Sequence, residues 1–266
     1  MPHVSVKGLW KTYDDTVILE RVNLEVGEHE FVTIVGSSGC GKTTFLRMLL
    51  GMEQPSRGRL LIDGRPAPRE PGPDRGIVFQ RYSLFPHLTV LGNLVLGIEL
   101  RRSRLVGRLF GRRRREAVAR ADRLLQAVGL AGARDRYPSQ LSGGMQQRLS
   151  IAQSVICEPG ILLLDEPFGA LDPGITADMH KLILELWSQT AMTVFMITHD
   201  IKEGFNLGTR LLVFDKVRHD PQAPEAYGAR ITYDIPLRKR GAVARAPVAL
   251  VGGRSDREWT WERSTR

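Results

Sequence analysis

The chain has 266 residues, of which 42% are hydrophobic, and a formal net charge of +9 at pH 7. Its length allows one large core, or a core with a subdomain, and no apolar run is long enough for a membrane-spanning helix. The two cysteines offer no disulfide framework and no secretory pattern precedes Val4, so we expect a protein of the reducing cytoplasm.

The first predicted elements are strands. Val4–Leu9, Leu19–Val26 and Arg59–Ile62 alternate in a way that is typical of antiparallel strands. Phe31–Val35 is a continuous apolar run, which favours a strand that is buried on both faces. The proline-rich segment 66–73 predicts a loop.

A phosphate-binding loop directly follows the apolar strand. Gly36-Ser-Ser-Gly-Cys-Gly-Lys-Thr43 fits the pattern G-x-x-x-x-G-K-[ST], and Thr43–Gly51 predicts the helix after it. The glycines allow backbone N–H groups to surround phosphate oxygens at a helix N-terminus. Lys42 would reach the β- and γ-phosphates, and the Thr43 hydroxyl would bind Mg²⁺.

Further apolar runs predict a mostly parallel core sheet interleaved with helices. They are Ile77–Phe79, Ile161–Asp165, Val194–Thr198 and Leu211–Phe214, and after them Ile231–Ile235 is a last strand candidate. Asp165 and Glu166 stand at the end of one such run, where parallel strands face a ligand crevice.

Several short segments share one order with a known family. Besides the phosphate loop they are Gln80 after Ile77-Val-Phe79, Leu141-Ser-Gly-Gly-Met-Gln-Gln-Arg148, Ile161-Leu-Leu-Leu-Asp-Glu166, Ala170-Leu-Asp172 and Ile197-Thr-His-Asp200. This set resembles the ATP-binding cassette of the ABC superfamily. The resemblance implies an α/β fold of the P-loop NTPase class, with a mostly parallel core sheet, an antiparallel β subdomain and a helical subdomain.

The resemblance also implies roles for individual residues. Asp165 would hold Mg²⁺ through water together with Thr43, and Gln80 would sense both the metal and the attacking water. Glu166 would deprotonate that water, and His199 would hydrogen-bond the γ-phosphate. Taken singly, Gln80 could instead cap a strand, and His199 could be a surface histidine. The residues implied in ATP binding are Tyr13, Gly36, Ser37, Ser38, Gly39, Cys40, Gly41, Lys42, Thr43, Thr44, Ser142, Gly143 and Gly144.

Two of these assignments need comment. Tyr13 would stack on adenine, but its evidence is position alone, and an edge aromatic is the alternative. In the family, Ser142, Gly143 and Gly144 contact the γ-phosphate that is bound to the other subunit, so hydrolysis would need a homodimer.

The family pattern also predicts the domain organisation. Residues 1–240 would form the ATP-binding domain, with a helical subdomain at about 88–158, and the polar tail 241–266 is predicted to be disordered. Gly204 stands where the family usually has alanine, and Gly208-Thr209-Arg210 where it has an Ala-Asp-Arg run, which predicts a weaker helix after His199.

The positive charge is concentrated in one insert of the helical subdomain. Residues 101–115 contain eight arginines and no acid, and removing these eight charges from +9 leaves +1. The insert could be a solvated helix and loop, could contact anionic lipid headgroups, or could bind nucleic acid. The lipid interpretation gains from the family architecture, in which this subdomain faces the membrane subunits.

Within the superfamily, the segments Gln80–Pro86 and Asp165–Asp172 look most like cassettes of nitrate, sulfonate and taurine importers. The segment 214–222 resembles a branch that is associated with urea or guanidine-type compounds. We therefore expect the ATPase subunit of a small-nutrient importer, at the cytoplasmic face of the inner membrane. Its partners would be transmembrane permease subunits and, indirectly, a substrate-binding protein, with no nucleic acid. An exporter cassette, or an ABC ATPase that acts on nucleic acid, is the alternative.

Overall fold

The computed structural model describes residues 3–80, 83–102, 107–169, 171–218, 221–223 and 225–237. The strands are β1 (Val4–Tyr13), β2 (Thr16–Val26), β3 (Phe31–Gly36), β4 (Arg57–Ile62), β5 (Arg65–Pro66), β6 (Arg75–Val78), β7 (Ile161–Asp165), β8 (Thr193–Ile197), β9 (Arg210–Asp215) and β10 (Arg230–Pro236). The helices are α1 (Lys42–Leu50), α2 (Val90–Arg102), α3 (Gly111–Ala127), α4 (Gly143–Val155), α5 (Pro173–Gln189) and α6 (Ile201–Leu207), with short 3₁₀ turns at Ala131–Ala133 and Pro138–Gln140.

The strands form two sheets. The first is antiparallel, with the order β2-β1-β4-β5, and the second has the order β10-β9-β3-β8-β7-β6. In the second sheet every pairing is parallel except that of β10 with β9. This mixed α/β architecture confirms the predicted fold class.

The parallel sheet separates two apolar clusters. Along β7, Leu162 and Leu164 point into the cluster formed with the helices of residues 90–207, while Ile161 and Leu163 point into the cluster shared with α1 and the antiparallel sheet. Period-two alternation thus buries both faces of the strand, which explains its continuous apolar sequence. The carboxyl ends of the parallel strands, where the phosphate loop lies, are thereby held between two cores.

The segment between β6 and β7 is helical, as the sequence predicts. It contains α2, α3 and α4, and Ser154 on α4 donates a hydrogen bond of 2.6 Å from Oγ to the carbonyl oxygen of Ile77 on β6. Arg112–Arg115 stand at the start of α3, whose first turn has no acidic residue.

Two local predictions need revision. Pro66 does not lie in a loop but in β5, where it pairs with Leu61; proline is tolerated there because β5 is a sheet edge. Gly204 is not merely a weak point of α6, since a Cβ there would lie 2.9 Å from Cδ1 of Leu211. Its missing side chain allows α6 to approach β9 closely.

In the described part of the chain no helix is both long and apolar enough to cross a membrane. The predicted tail 241–266 lies outside the described residues.

Candidate active site

Two glycines of the phosphate loop, Gly36 and Gly41, leave no room for a side chain. At Gly36, φ is 154° and a Cβ would lie 2.1 Å from the carbonyl oxygen of Phe214. At Gly41, φ is 86° and a Cβ would lie 2.8 Å from side-chain atoms of Ile18 and Leu19. The loop is therefore pressed between β9 and β2 at the N-terminus of α1.

Lys42 begins α1 and folds back over the loop. Its Nζ donates hydrogen bonds of 2.8 Å to the carbonyl oxygens of Gly36 and Ser37, and the residue is buried. Ser37, Ser38 and Gly39 are exposed, and a Cβ at Gly39 would meet nothing within 4 Å. An ammonium group and open backbone at a helix N-terminus form a place for phosphate.

Thr43 and Asp165 bring two oxygen atoms together below the loop. The Thr43 hydroxyl donates a hydrogen bond of 3.2 Å to Oδ1 of Asp165. Burial raises the pKa of Asp165, and the hydrogen bond from Thr43 opposes that rise. Hard oxygen ligands of this kind suit Mg²⁺.

A carboxylate-rich metal cage is not found among the residues that the structure describes, where no group of three or more His, Cys, Asp or Glu side chains could hold a metal ion. Magnesium commonly takes one or two protein ligands and completes its shell with water and substrate phosphate oxygens. The Thr43–Asp165 pair fits that mode of binding.

Glu166 is the meeting point of the remaining predicted catalytic residues. Its Oε2 accepts a hydrogen bond of 3.4 Å from Nε2 of Gln80 and lies 3.8 Å from Nδ1 of His199. The structure thus brings together three side chains that come from the ends of three parallel strands.

The backbone of Glu166 is strained. Its φ is 47°, which is uncommon for a residue with a side chain, and its N–H donates to the carbonyl oxygen of Ile197 at 3.1 Å. Such strain persists where the surrounding structure enforces it, and it concentrates at functional sites. The hydrogen bond to β8 holds Glu166 at the carboxyl end of β7, beside the strand that leads to His199.

Tyr13 ends β1 and is 40% exposed. Its hydroxyl donates a hydrogen bond to Glu53, and Nζ of Lys11 lies 4.6 Å from the ring centre. Burial, followed by the hydrogen bond to Glu53, raises the pKa of Tyr13. The sequence offered no signal for this Lys11–Glu53 setting, which fixes the ring at the edge of the β subdomain.

The signature residues do not join this cluster. Ser142 caps α4 by accepting the N–H of Met145 at 3.4 Å, and both Ser142 and Gly143 are exposed. Gly144 is buried, and a Cβ there would lie 2.8 Å from Ile175. The N-terminus of α4 is exposed, and among the described residues no hydrogen bond joins it to the phosphate loop of the same chain.

Sequence reasoning did not identify one residue that lies close to these elements. His180, on α5, contacts both Phe168 and Glu203. A single histidine inside an amphipathic helix gives no signal of a role, because the partner residues are distant in the sequence. Of the predicted loop 170–172, Ala170 lies outside the described residues, and Asp172 directly precedes α5.

A phosphate loop, a strand ending in two carboxylates and a separate serine-capped helix define a P-loop ATPase of the cassette type. A family model described as ABC transporter matches residues 19–169, and the chain belongs to this family. It is an ATP-hydrolysing, transport-coupled cassette.

Related proteins agree with this assignment. The taurine import ATP-binding protein of Rhizobium johnstonii is 45% identical over 195 residues, 73% of this chain and 69% of that protein. The nitrate import ATP-binding protein of Synechococcus elongatus is 40% identical over 231 residues, 87% of this chain and 80% of that protein. A dimeric ATP-binding cassette in a post-hydrolysis state with ADP and Pi superposes with a TM-score of 0.71 at 30% identity, covering 89% of this chain and all of that one.

Proposed function

We propose that this chain is the ATP-hydrolysing subunit of an importer for a small polar nutrient, and that it works as a homodimer beneath transmembrane permease subunits. The observation that carries the catalytic part is the convergence of Gln80 and His199 on Glu166. Glu166 directly follows Asp165, which accepts the hydrogen bond from Thr43. The importer part is supported by relatives whose names specify import of taurine and nitrate.

Each residue then has a defined task in hydrolysis. Lys42 and the loop N–H groups bind the β- and γ-phosphates, while Asp165 and Thr43 supply oxygen ligands. Magnesium, when bound, neutralises charge on the phosphate oxygens. Glu166 accepts a proton from the attacking water, and Gln80 orients that water. His199 donates a hydrogen bond to the γ-phosphate, which stabilises the charge that develops there.

The signature acts between chains in this proposal. Ser142 and Gly143 are exposed at the N-terminus of a thirteen-residue helix, whose positive dipole end suits a phosphate group. Support for a dimer comes from the similar cassette that was solved as a dimer with ADP and Pi. The second copy would place its Ser142 against the nucleotide of the first.

The partners follow from the same assignment. The cassette would associate with the cytoplasmic face of the inner membrane through the permease, and a substrate-binding protein would act on it indirectly. The substrate falls within the class of nitrate, sulfonates, taurine and urea- or guanidine-like compounds. We expect no role for nucleic acid, because the excess positive charge is confined to one insert.

The test is to purify the chain from membranes with the permease encoded nearest to it and reconstitute the complex in liposomes. ATPase activity should rise when the loaded binding protein and substrate are added on the outer side. If the complex hydrolyses ATP but responds only to a substrate on the cytoplasmic side, the proposal of import is wrong and the complex is an exporter. Purification without any membrane partner would reject the proposed association with permease subunits.

A further inference from the structure

One histidine joins the two segments that carry the proposed base and the proposed phosphate-binding histidine. His180 lies in the second turn of α5, and its Nε2 is 2.6 Å from Oε1 of Glu203 in the first turn of α6. The same ring contacts the ring of Phe168 edge-on, with 5.1 Å between centroids. The Glu203 side chain is only 10% exposed, so this contact is shielded from solvent.

Both contacts lead directly to the catalytic cluster. Phe168 follows Glu166 by two residues, and Glu203 follows His199 by four. Between them, a Cβ at Gly169 would lie 3.4 Å from Cε1 of His199, so the chain after Glu166 packs against the histidine ring. The 3.8 Å separation of Glu166 and His199 therefore depends on how these two segments are placed against each other.

The helix that follows His199 depends on tertiary contacts. Gly204 packs it on β9 and accepts a hydrogen bond from Thr33 on β3, and the Glu203–His180 hydrogen bond connects it to α5. α6 has only seven residues, includes Gly204 and is followed by Gly208, and a helix this short is unstable without tertiary contacts. Asp200 caps it by accepting the N–H groups of Lys202 and Glu203. The cap sets the start of the helix but does not connect it to α5, whereas the Glu203–His180 hydrogen bond does.

We propose that His180 is a positioning residue for ATP hydrolysis. Its Nε2–H donates to Glu203 and its ring packs on Phe168, so one side chain holds His199 in register with Glu166. A charge-assisted hydrogen bond in a shielded place is strong enough for this task. The inference rests on the proposed roles of Glu166 and His199; His180 itself contacts neither and takes no part in proton transfer.

The first test compares His180→Leu with His180→Gln in steady-state ATPase assays of the full chain. The leucine variant loses the donor, and we expect kcat to fall about five- to tenfold with the KM for ATP nearly unchanged, because the misplacement affects the reacting geometry and not the phosphate loop. The glutamine variant keeps an N–H donor and should recover most of kcat. Loss of kcat to the same extent in both variants would overturn the proposal.

A matched control separates positioning from stability. Ser5→Ala removes another 2.6 Å side-chain hydrogen bond, between Ser5 and Glu25 in the antiparallel sheet. It should lower the melting temperature without changing kcat. The double variant His180→Leu/Glu203→Leu removes both polar partners, so it should regain stability while kcat stays low. If kcat returns with stability, His180 serves only the fold and the proposal is wrong.

The last test asks whether His180 acts through His199. Single-turnover hydrolysis is measured for His199→Ala with and without His180→Leu. When two residues act as one unit, the losses in rate caused by the two substitutions do not multiply. Adding His180→Leu to His199→Ala should therefore lower the hydrolysis rate by less than a further twofold. Multiplying losses would overturn the link while the proposed function stands. An unchanged rate in His199→Ala alone would reject the role of His199, and the link with it.

Discussion

At the scale of single residues, Glu166 is where the predicted catalytic side chains meet. Its carboxylate lies within reach of Gln80 and His199, and its backbone is held in a left-handed conformation by the hydrogen bond to Ile197. A residue kept in a strained conformation by its neighbours is oriented before the substrate arrives, which reduces the reorganisation needed during reaction.

Replacing Glu166 by glutamine should preserve ATP binding and reduce turnover by at least about a hundredfold, because the amide keeps the size but cannot accept the water proton. A closed dimer should then accumulate with ATP and Mg²⁺ and be visible by size-exclusion chromatography. A variant that stays monomeric, or hydrolyses ATP within about tenfold of the wild type, would reject Glu166 as the base.

Asp165 offers a prediction about stability. Because burial raises its pKa above that of the unfolded chain, the ionised carboxylate destabilises the fold at neutral pH, and this cost declines as the pH falls through the folded-state pKa. Asp165→Asn should therefore raise the melting temperature of the nucleotide-free protein at pH 7.5, and this gain should shrink as the pH is lowered towards the usual range of an aspartate. Differential scanning calorimetry measures this, and a decrease at pH 7.5 would contradict it. ATPase activity should be lost.

At the scale of elements, the segment before α2 has the features of a contact surface. Asn93 on α2 is fully buried, accepts the N–H of Phe85 at 2.8 Å and donates to its carbonyl oxygen at 3.2 Å. The backbone at Phe85 is thus held in place while the residue remains 39% exposed, five residues after Gln80. Such a rigid apolar projection suits the groove of a partner helix better than plain core packing.

Phe85→Ala should therefore reduce transport by the reconstituted complex by more than fivefold while the basal ATPase of the isolated subunit changes less than twofold. The melting temperature should change by less than about 3 °C, because the residue is already partly exposed. Equal losses of transport and basal ATPase, or a collapse in stability, would favour a core role for Phe85.

The arginines at the start of α3 are the second feature at this scale. Arg112 is 88% exposed at the side chain and pairs with Glu116, while Arg114 lies 4.0 Å from Glu99. Cations at a helix N-terminus are unfavourable with respect to the helix dipole, so an anion from outside the chain would stabilise this end of α3. Phe110, which is 69% exposed, precedes them and could enter a lipid surface.

We expect Arg112→Gln, Arg113→Gln, Arg114→Gln and Arg115→Gln together to weaken binding to anionic liposomes several-fold at low salt and to leave ATPase activity near the wild type. Cosedimentation with vesicles of 30% phosphatidylserine, against neutral vesicles as a control, measures the effect. Tight binding of the native chain to duplex DNA at physiological salt, lost in this variant, would instead support the nucleic-acid alternative.

The limits of sequence reasoning differ between elements. Ile161–Asp165 is predicted to the residue because both of its faces are apolar. β1 continues four residues beyond its predicted end, through Tyr13. None of these four residues is buried and the register with β2 shifts twice between Leu9 and Thr12, so the segment lacks the alternating signal. Gln80, Glu166 and His199 meet because the three neighbouring parallel strands that precede them have their carboxyl ends on the same side of the sheet. The His180–Glu203 contact could not be predicted, because it depends on the packing of two helices that are connected through β8.

At the scale of the whole molecule, the site is incomplete in one chain if the signature acts across a dimer. A mixed dimer tests this. One chain carries Lys42→Ala and the other Ser142→Arg, each inactive as a homodimer. In the mixed dimer, one site pairs both damaged elements, and the other pairs an intact phosphate loop with an intact signature. Vanadate trapping of labelled ADP should therefore recover about one occluded nucleotide per dimer.

Trapping is a better measurement than steady-state turnover here, because coupling between the two sites could keep turnover low. If the signature served the nucleotide of its own chain, every site in the mixture would carry one damaged element. Absence of trapping, with mixed dimers shown to form by tagged pull-down, would then refute the composite site.

The contact between Gly36 and Phe214 has a consequence for biosynthesis. The first glycine of the phosphate loop pairs with a residue 178 positions later, on a strand that lies beside β3 in the sheet. During synthesis the loop sequence is therefore present long before β9, the strand against which the loop packs. Nucleotide affinity should appear late in translation, after β9 has left the ribosome, so that unfinished chains do not sequester ATP.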